Sequence, residues 1–246
     1  MLLDKFKNHP FPVDAYFNQC IVLTFAAPKE ELAKLIPHNL ELDVFDNKWA
    51  FLAVAIVQTT ALRPKGFPKQ FGQDFILIGY RVFVRYKTSG GKRIRGLYIL
   101  KSQTDRRQMK LLGNLFTHYK YSTTDIQLKK NGDNILITSI NEGIKIHVQK
   151  ANGEISLPLH SPFENWQQAR RFSGPLPFTF TSFTDKNEVL IVEGARENWH
   201  PEPVMIRECV TPFLDTLQIE NCHLSNAFII NNVPYHWKKG RIDKCN

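Results

Sequence analysis

Two long apolar runs, KWAFLAVAIVQ (48–58) and FILIGYRVFVRYK (75–87), decide what this chain can build. Both are dense in β-branched and aromatic residues, as expected of strands that pack on a pleated surface. Side chains alternate along a strand, so Arg81, Phe83, Arg85 and Lys87 share one face of the second run while Tyr80, Val82, Val84 and Tyr86 share the other. The first run is apolar for so long that both of its faces must be covered. A chain organised around two such strands is mainly β.

Short apolar stretches separated by turn residues extend the pattern. LELDVF and KWAFLAVAIVQ flank the dipeptide Asp46-Asn47 and predict a hairpin, and TSGGK joins FILIGYRVFVRYK to RIRGLYILK in a second one. KYSTTDIQLKK, NILITSI and GIKIHVQK read as three more strands. LPFTFTSF and EVLIVEG form a hairpin across TDKN, and the tail adds strands with irregular joints. Helices are few. PKEELAKLI places a proline at a first helical position, and SPFENWQQARRF shows Ser161 as N-cap, Glu164 three residues later and SGP as the stop. Between the two long strands, residues 59–74 break all periodicity with prolines and glycines, and a connection of that length often covers a site. No linker or repeat divides residues 1–246, so one α+β, mainly β domain with about three short helices is expected.

Several classes are set aside by what the sequence lacks. No apolar run reaches the roughly 18 residues that span a bilayer, and MLLDKFKNHPFP is not a signal peptide, so a cytoplasmic protein without a membrane partner is the expectation. Cys20, Cys209, Cys222 and Cys245 form no C-x-x-C pair, the eight histidines form no H-E-x-x-H or H-x-H, and no phosphate-binding or nucleophile-elbow motif occurs. Neither a metal nor a cofactor is indicated. The net charge of +9 is concentrated: residues 63–110 hold thirteen Lys or Arg against Asp74 and Asp105. Such a segment draws anions of any kind.

Two stretches carry candidate chemistry. In EGARENWHPEPV, Glu193, Arg196, Glu197, Trp199 and His200 leave a strand together, either as ion pairs on a loop or as a polar pocket wall with an aromatic lid. In DRRQMKLLGNLF, Met109, Leu111, Leu112, Leu115 and Phe116 gather on one helical face and Lys110 falls opposite with Arg106 and Arg107. Periodicity therefore makes Lys110 a solvated amine, a poor nucleophile at neutral pH.

AYFNQCIVLTFAAPKEELAKLIPHNLELD running through AFLAVAIV, then DFILIGYRVFVRY and GLYILKSQTDRRQMKLLG, resembles the acetoacetate decarboxylase-like superfamily, and GPLPFTF and GARENWHPEPV resemble an uncharacterised bacterial branch of it, a domain of unknown function. The resemblance implies a barrel-like antiparallel sheet with an interior pocket, and homo-oligomers. It also implies a Schiff base on a keto acid at Lys110, an amine activated by a neighbouring cation. Leu111 stands where that second lysine belongs, Asp14 stands where an arginine is expected, and residues 59–74 contain no glutamate for the acidic partner. The leading reading is thus a small anionic ligand, an organic acid bound by Arg81 and Lys110 backed by Arg107, with Glu193 and Arg196 in the pocket wall. The rivals are a lyase acting through Lys110 and a nucleic-acid module. The latter, the lesser of the two, would use the ribbon of Arg81, Arg85, Lys87, Arg93 and Arg95 with Phe83 interleaved.

Overall fold

A computed structural model describes residues 6–150, 153, 156–174 and 176–245. Fourteen strands form one mixed sheet. Seven of them close into a ring: β1 (Val13–Pro28), β3 (Trp49–Pro64), β4 (Gln73–Lys87), β5 (Arg93–Thr104), β10 (Phe178–Phe183), β11 (Glu188–Arg196) and β13 (His223–Trp237). The two expected long strands are neighbours at its centre, with Ala55 opposite Gly79 and Ala53 opposite Arg81. β1 pairs with β3 on one side and with β13 on the other, where Val13 faces Trp237. Three pairs, Gly194–Trp237, Ala195–His236 and Arg196–Tyr235, close the ring between β11 and β13.

Apolar residues on both faces of β3 and β4 explain why the ring is covered twice. Ile21, Leu23, Leu52, Val54, Ile56 and Tyr80 turn to one side and share a buried cluster with Ile135, Ile137 and Ile146. Those last residues come from the meander of β7 (Gln127–Asn131), β8 (Asn134–Ser139) and β9 (Ile144–Lys150), which joins the ring through β12 (Glu202–Val210). The other face of the ring strands turns toward a cavity. Short strands β2 (Glu41–Leu42), β6 (Tyr121–Thr123) and β14 (Arg241–Lys244) complete the sheet.

The mostly antiparallel expectation holds with two exceptions, since β5 runs parallel to both β10 and β6. Four α-helices, rather than about three, are present among the described residues: α1 (Lys29–Ala33), α2 (Arg107–Phe116), α3 (Trp166–Ser173) and α4 (Pro212–Thr216), with a 3-10 turn over Lys69–Phe71. α3 starts later than Ser161 predicts. Its cap is Asn165, whose Oδ1 accepts from the Gln168 amide at 2.9 Å, because Phe163 is buried against Phe45 and Phe51 and holds residues 161–165 out of the helix. Pro175, the last residue of the predicted stop, lies outside the described residues. None of the described helices is long and apolar enough to cross a membrane.

The first predicted hairpin also differs. Asp46 and Asn47 do form a tight turn with φ of 51° at each, but only Phe45 and Trp49 bridge across it. β2 pairs with β4 instead. The cause lies at Asp43, fully buried, whose amide donates to the Phe83 carbonyl and whose carboxylate accepts from Arg85 Nε and Arg95 Nε, both at 2.5 Å. Arg95 continues to the Phe172 carbonyl at 2.8 Å and lies over the Phe172 ring. One carboxylate thereby ties the β4–β5 hairpin to β2 and to the end of α3, and that requirement overrides the local hairpin preference.

Candidate anion-binding cavity

The ring encloses a cavity of about 730 Å³ lined by residues from all seven strands. Strand alternation decides which side chains enter it. Gln73, Phe75, Leu77, Arg81 and Phe83, all odd positions of β4, line the wall beside Ala53, Ala55, Val57 and Thr59 of β3. The alanines leave the volume that larger side chains would fill.

Three arginines line this mainly apolar space, Arg63, Arg81 and Arg196, and the last two each keep a buried nitrogen without a partner. Arg81 folds back along its own strand over Gly79, where an added methyl group would sit 3.0 Å from Arg81 Nε. Arg196, at the seam of the ring, lies 4.4 Å from the centre of the Trp199 ring and 5.6 Å from that of Tyr235. Arg81 Nε and Arg196 Nη2 are buried and hydrogen-bonded to no protein atom. No aspartate, glutamate or lysine is among the described residues lining the cavity. Burial and the positive field of Arg81 lower the pKa of Arg196. Around the arginines stand Tyr119, Tyr121 and Tyr235, all with phenols pushed up by burial and partly offset by Arg81, Tyr121 to about 12.

The Cys20 thiol lies in the same field. Burial raises it from 9.0 to about 11 against the pull of both arginines, and burial raises Cys209 and Cys222 to about 11 as well. Unfolded thiols ionise near 9 while these keep their protons to about 11, so their share of the stability is present below pH 9 and lost as pH rises toward 11. The urea midpoint is therefore expected to be lower at pH 10.5 than at pH 8; an unchanged midpoint would contradict the burial of these thiols.

Tyr235 is set by a glycine. A Cβ at Gly194 would fall 2.1 Å from the Tyr235 hydroxyl oxygen and 2.8 Å from Cζ. Gly194→Ala must push the phenol away from Arg196, with an expected loss of about 1–3 kcal/mol in stability, as for other overpacked sites. Chemical denaturation checks the magnitude, and a stability equal to that of the parent would show that Tyr235 has room to move.

Of the residues singled out in the sequence, Arg81 and Arg196 meet in the cavity with Trp199. Glu193 does not; its carboxylate accepts from Lys238 Nζ at 2.7 Å outside the cavity. The loop EGARENWHPEPV is thus divided between an ion pair and a pocket wall. Arg107 and Lys110 are exposed on α2 and do not line the cavity, which corrects the grouping of Lys110 and Arg107 with Arg81. Met109, Leu112 and Phe116 take the inward side of that helix, and Gly113 lets it approach the Tyr121 ring. The basic ribbon is likewise broken up. Phe83 is 1% exposed, Arg81 points inward, and Arg85 and Arg95 are held by Asp43. The aperiodic connection expected over 59–74 is shorter, because residues 59–64 continue β3 and 73–74 begin β4; in the connection that remains, 65–72, Phe67 and Phe71 line the cavity while remaining 57% and 68% exposed. No cluster of His, Cys, Asp and Glu among the described residues could hold a metal ion.

Cys20, Tyr119, Tyr121 and Tyr235 were not singled out from the sequence. Period-two spacing in HYKY and VPYHW puts each pair of aromatic residues on one face, but spacing alone does not say which face is inside.

Comparison with known proteins places this geometry. No curated protein is significantly similar in sequence. Among solved structures, acetoacetate decarboxylase from Legionella pneumophila superposes with a TM-score of 0.60 at 13% identity, covering 95% of this chain and 88% of that one. The enduracididine biosynthesis enzyme MppR complexed with pyruvate gives 0.58 at 9%, covering 95% and 90%. An acetoacetate decarboxylase-like enzyme from Sphingomonas wittichii RW1 gives 0.50 at 10%, covering 96% and 91%. At such low identity these superpositions show a shared fold alone. A family model described as an uncharacterized conserved protein, DUF2071, matches residues 14–242. With nearly the whole chain inside that match, and the ring sheet and cavity as described, this protein belongs to the DUF2071 family and has the acetoacetate decarboxylase-like fold.

Proposed function

We propose that this protein binds a small organic acid in the ring cavity, with the carboxylate held between Arg81 and Arg196. The observation that carries this reading is the pair of guanidinium groups with unpartnered buried nitrogens in a cavity that has no acidic residue among the described residues of its wall. Buried cations are ordinarily paired, and a planar carboxylate matches the guanidinium fork with two charge-assisted hydrogen bonds. The cavity volume falls within the roughly 300–1,000 Å³ of small-molecule sites. The structure of MppR with pyruvate gives a precedent for a keto acid in this fold.

Calorimetric titration with a panel of aliphatic, aromatic and keto acids tests the reading. Saturable binding that is lost in the Arg81→Gln/Arg196→Gln variant is expected. Absence of binding by every acid at millimolar concentration, or binding unchanged in the variant, would overturn it.

Schiff-base chemistry at Lys110 is not supported by its position. A reactive amine needs a desolvated pocket or a second cation fixed beside it, and Lys110 is exposed on α2, outside the cavity, with Leu111 in the place of the second lysine. Borohydride reduction in the presence of keto acids is expected to label Lys110 no more than other exposed lysines. An adduct confined to Lys110 and absent in Lys110→Ala would reinstate the lyase reading.

A further inference from the structure

Resting on the reading above, we infer that the acid is an amphiphilic monocarboxylate, its single charged head between Arg81 and Arg196 and its long apolar body running along β3 and β4 to the mouth formed by Phe67 and Phe71. Three features of the cavity select this class.

The cationic groups converge on one place. Arg81 and Arg196 line the same cavity, each with a buried nitrogen that has no partner, Arg196 lies 5.6 Å from the centre of the Tyr235 ring, and the positive field of both reaches Cys20 and Tyr235. The remaining arginine on the wall, Arg63, already donates to the Ala61 carbonyl at 2.7 Å and to the Phe67 carbonyl at 2.8 Å. A second carboxylate on the same ligand would lie against apolar wall, at the desolvation cost of an unpaired charge.

The wall between the two arginines and Arg63 at the Phe67 end carries no charge. Because Arg81 folds over Gly79, the inward face of β4 left open runs from Gly79 past Leu77 to Phe75, and at roughly 3.3 Å per residue this stretch is about 13 Å long. Opposite lie Ala55, Val57 and Thr59 of β3. A ligand as short as acetate would occupy the head site and leave this channel unfilled.

The mouth is apolar and held in shape. Ala61 adopts a φ of 52° and its amide donates to Asp74 Oδ1 at 2.8 Å. A methyl group at Gly72 would meet the Ala61 Cα at 2.5 Å, and the bonds from Arg63 fix the loop that carries Phe67. The two phenyl rings therefore stand half in solvent at the end of an apolar channel, where a chain of methylenes can pass between them.

The test is a calorimetric series of straight-chain monocarboxylates from four to fourteen carbons, kept below their micelle concentrations, with the parent and Val57→Phe proteins. Affinity is expected to rise about fourfold per methylene, the equivalent of ~0.8 kcal/mol, and to level off once the channel is full. The amide of the best acid should bind at least about thirtyfold more weakly. Val57→Phe, beside Leu77 and clear of the Arg81 guanidinium over Gly79, should keep the binding of the four-carbon acid and lose the gain with length. Affinity independent of chain length while Arg81→Gln still abolishes binding would overturn the amphiphile and leave the acid site standing. Tighter binding of a dicarboxylate of equal length would overturn it also. If no acid binds, the proposed function and this extension fall together.

Discussion

Arg81→Met is expected to raise the melting temperature by about 4–8 °C while lowering the affinity for an organic carboxylate about a hundredfold. Both effects follow from one guanidinium that enters an apolar cavity with its Nε buried and unbonded. Replacing an uncompensated, partly buried charge with an apolar side chain of similar length is stabilising by about 2 kcal/mol, and in a chain of this size each kcal/mol shifts the midpoint by about 2–4 °C. The lost affinity reflects a charge-assisted fork worth about 3 kcal/mol in a water-poor pocket. Stability would then be traded against function at a single residue, as at many binding sites. Thermal melts with and without ligand measure both quantities. A melting temperature below that of the parent would mean that Arg81 serves the fold, and would count against the site as drawn.

Asp43→Ala is expected to have the opposite effect, a loss of about 3 kcal/mol and a midpoint lower by about 6–12 °C. Asp43 is fully buried and its two oxygens are taken by Arg85 and Arg95, so its removal leaves two guanidinium groups facing each other across a vacated site. Each arginine is about one-third exposed, and access to water keeps the loss toward the lower end for a buried pair. If the single variant does not fold, Asp43→Ala/Arg85→Met/Arg95→Met decides the matter. The triple variant should recover most of the stability, because removing every member of a buried ionic group costs little compared with removing one. A triple variant less stable than the single one would show that packing of the arginine stems, rather than charge pairing, holds the hairpin to α3.

Much of the sheet could be read directly from the chain, because period-two alternation and turn residues act locally. The wheel placed Lys110 in solvent, and there it lies; the superfamily resemblance drew it toward the site, yet the neighbouring positions Leu111 and Asp14 already departed from that pattern. Alternation in FILIGYRVFVRYK put Arg81 and Phe83 on one face but left open whether that face met water, since a basic ribbon and a cavity wall have the same spacing. Closure of the ring settles it, and closure depends on β11 meeting β13, a pairing between segments far apart in the chain. Asp43 shows the same limit. Nothing local marks the aspartate of LELDVF as the common acceptor for two arginines some 40–50 positions downstream, so the predicted hairpin gave way to a pairing with β4.

The register of β1 has a consequence for synthesis. Val13 leaves the ribosome early, yet its neighbour across the sheet is Trp237, and Ile21 waits for Ile229. At roughly 5–20 residues per second, more than two hundred residues of translation hold that edge open for about 10–45 s. During this interval β1 and β3 can pair as a hairpin-like unit with one long apolar edge uncovered, the kind of surface that chaperones shield and that aggregates when synthesis outpaces folding. The cavity cannot exist earlier, because Phe228, Tyr235 and Trp237 of its wall arrive on the last long strand. A nascent chain truncated before residue 223 should therefore carry both arginines and bind nothing.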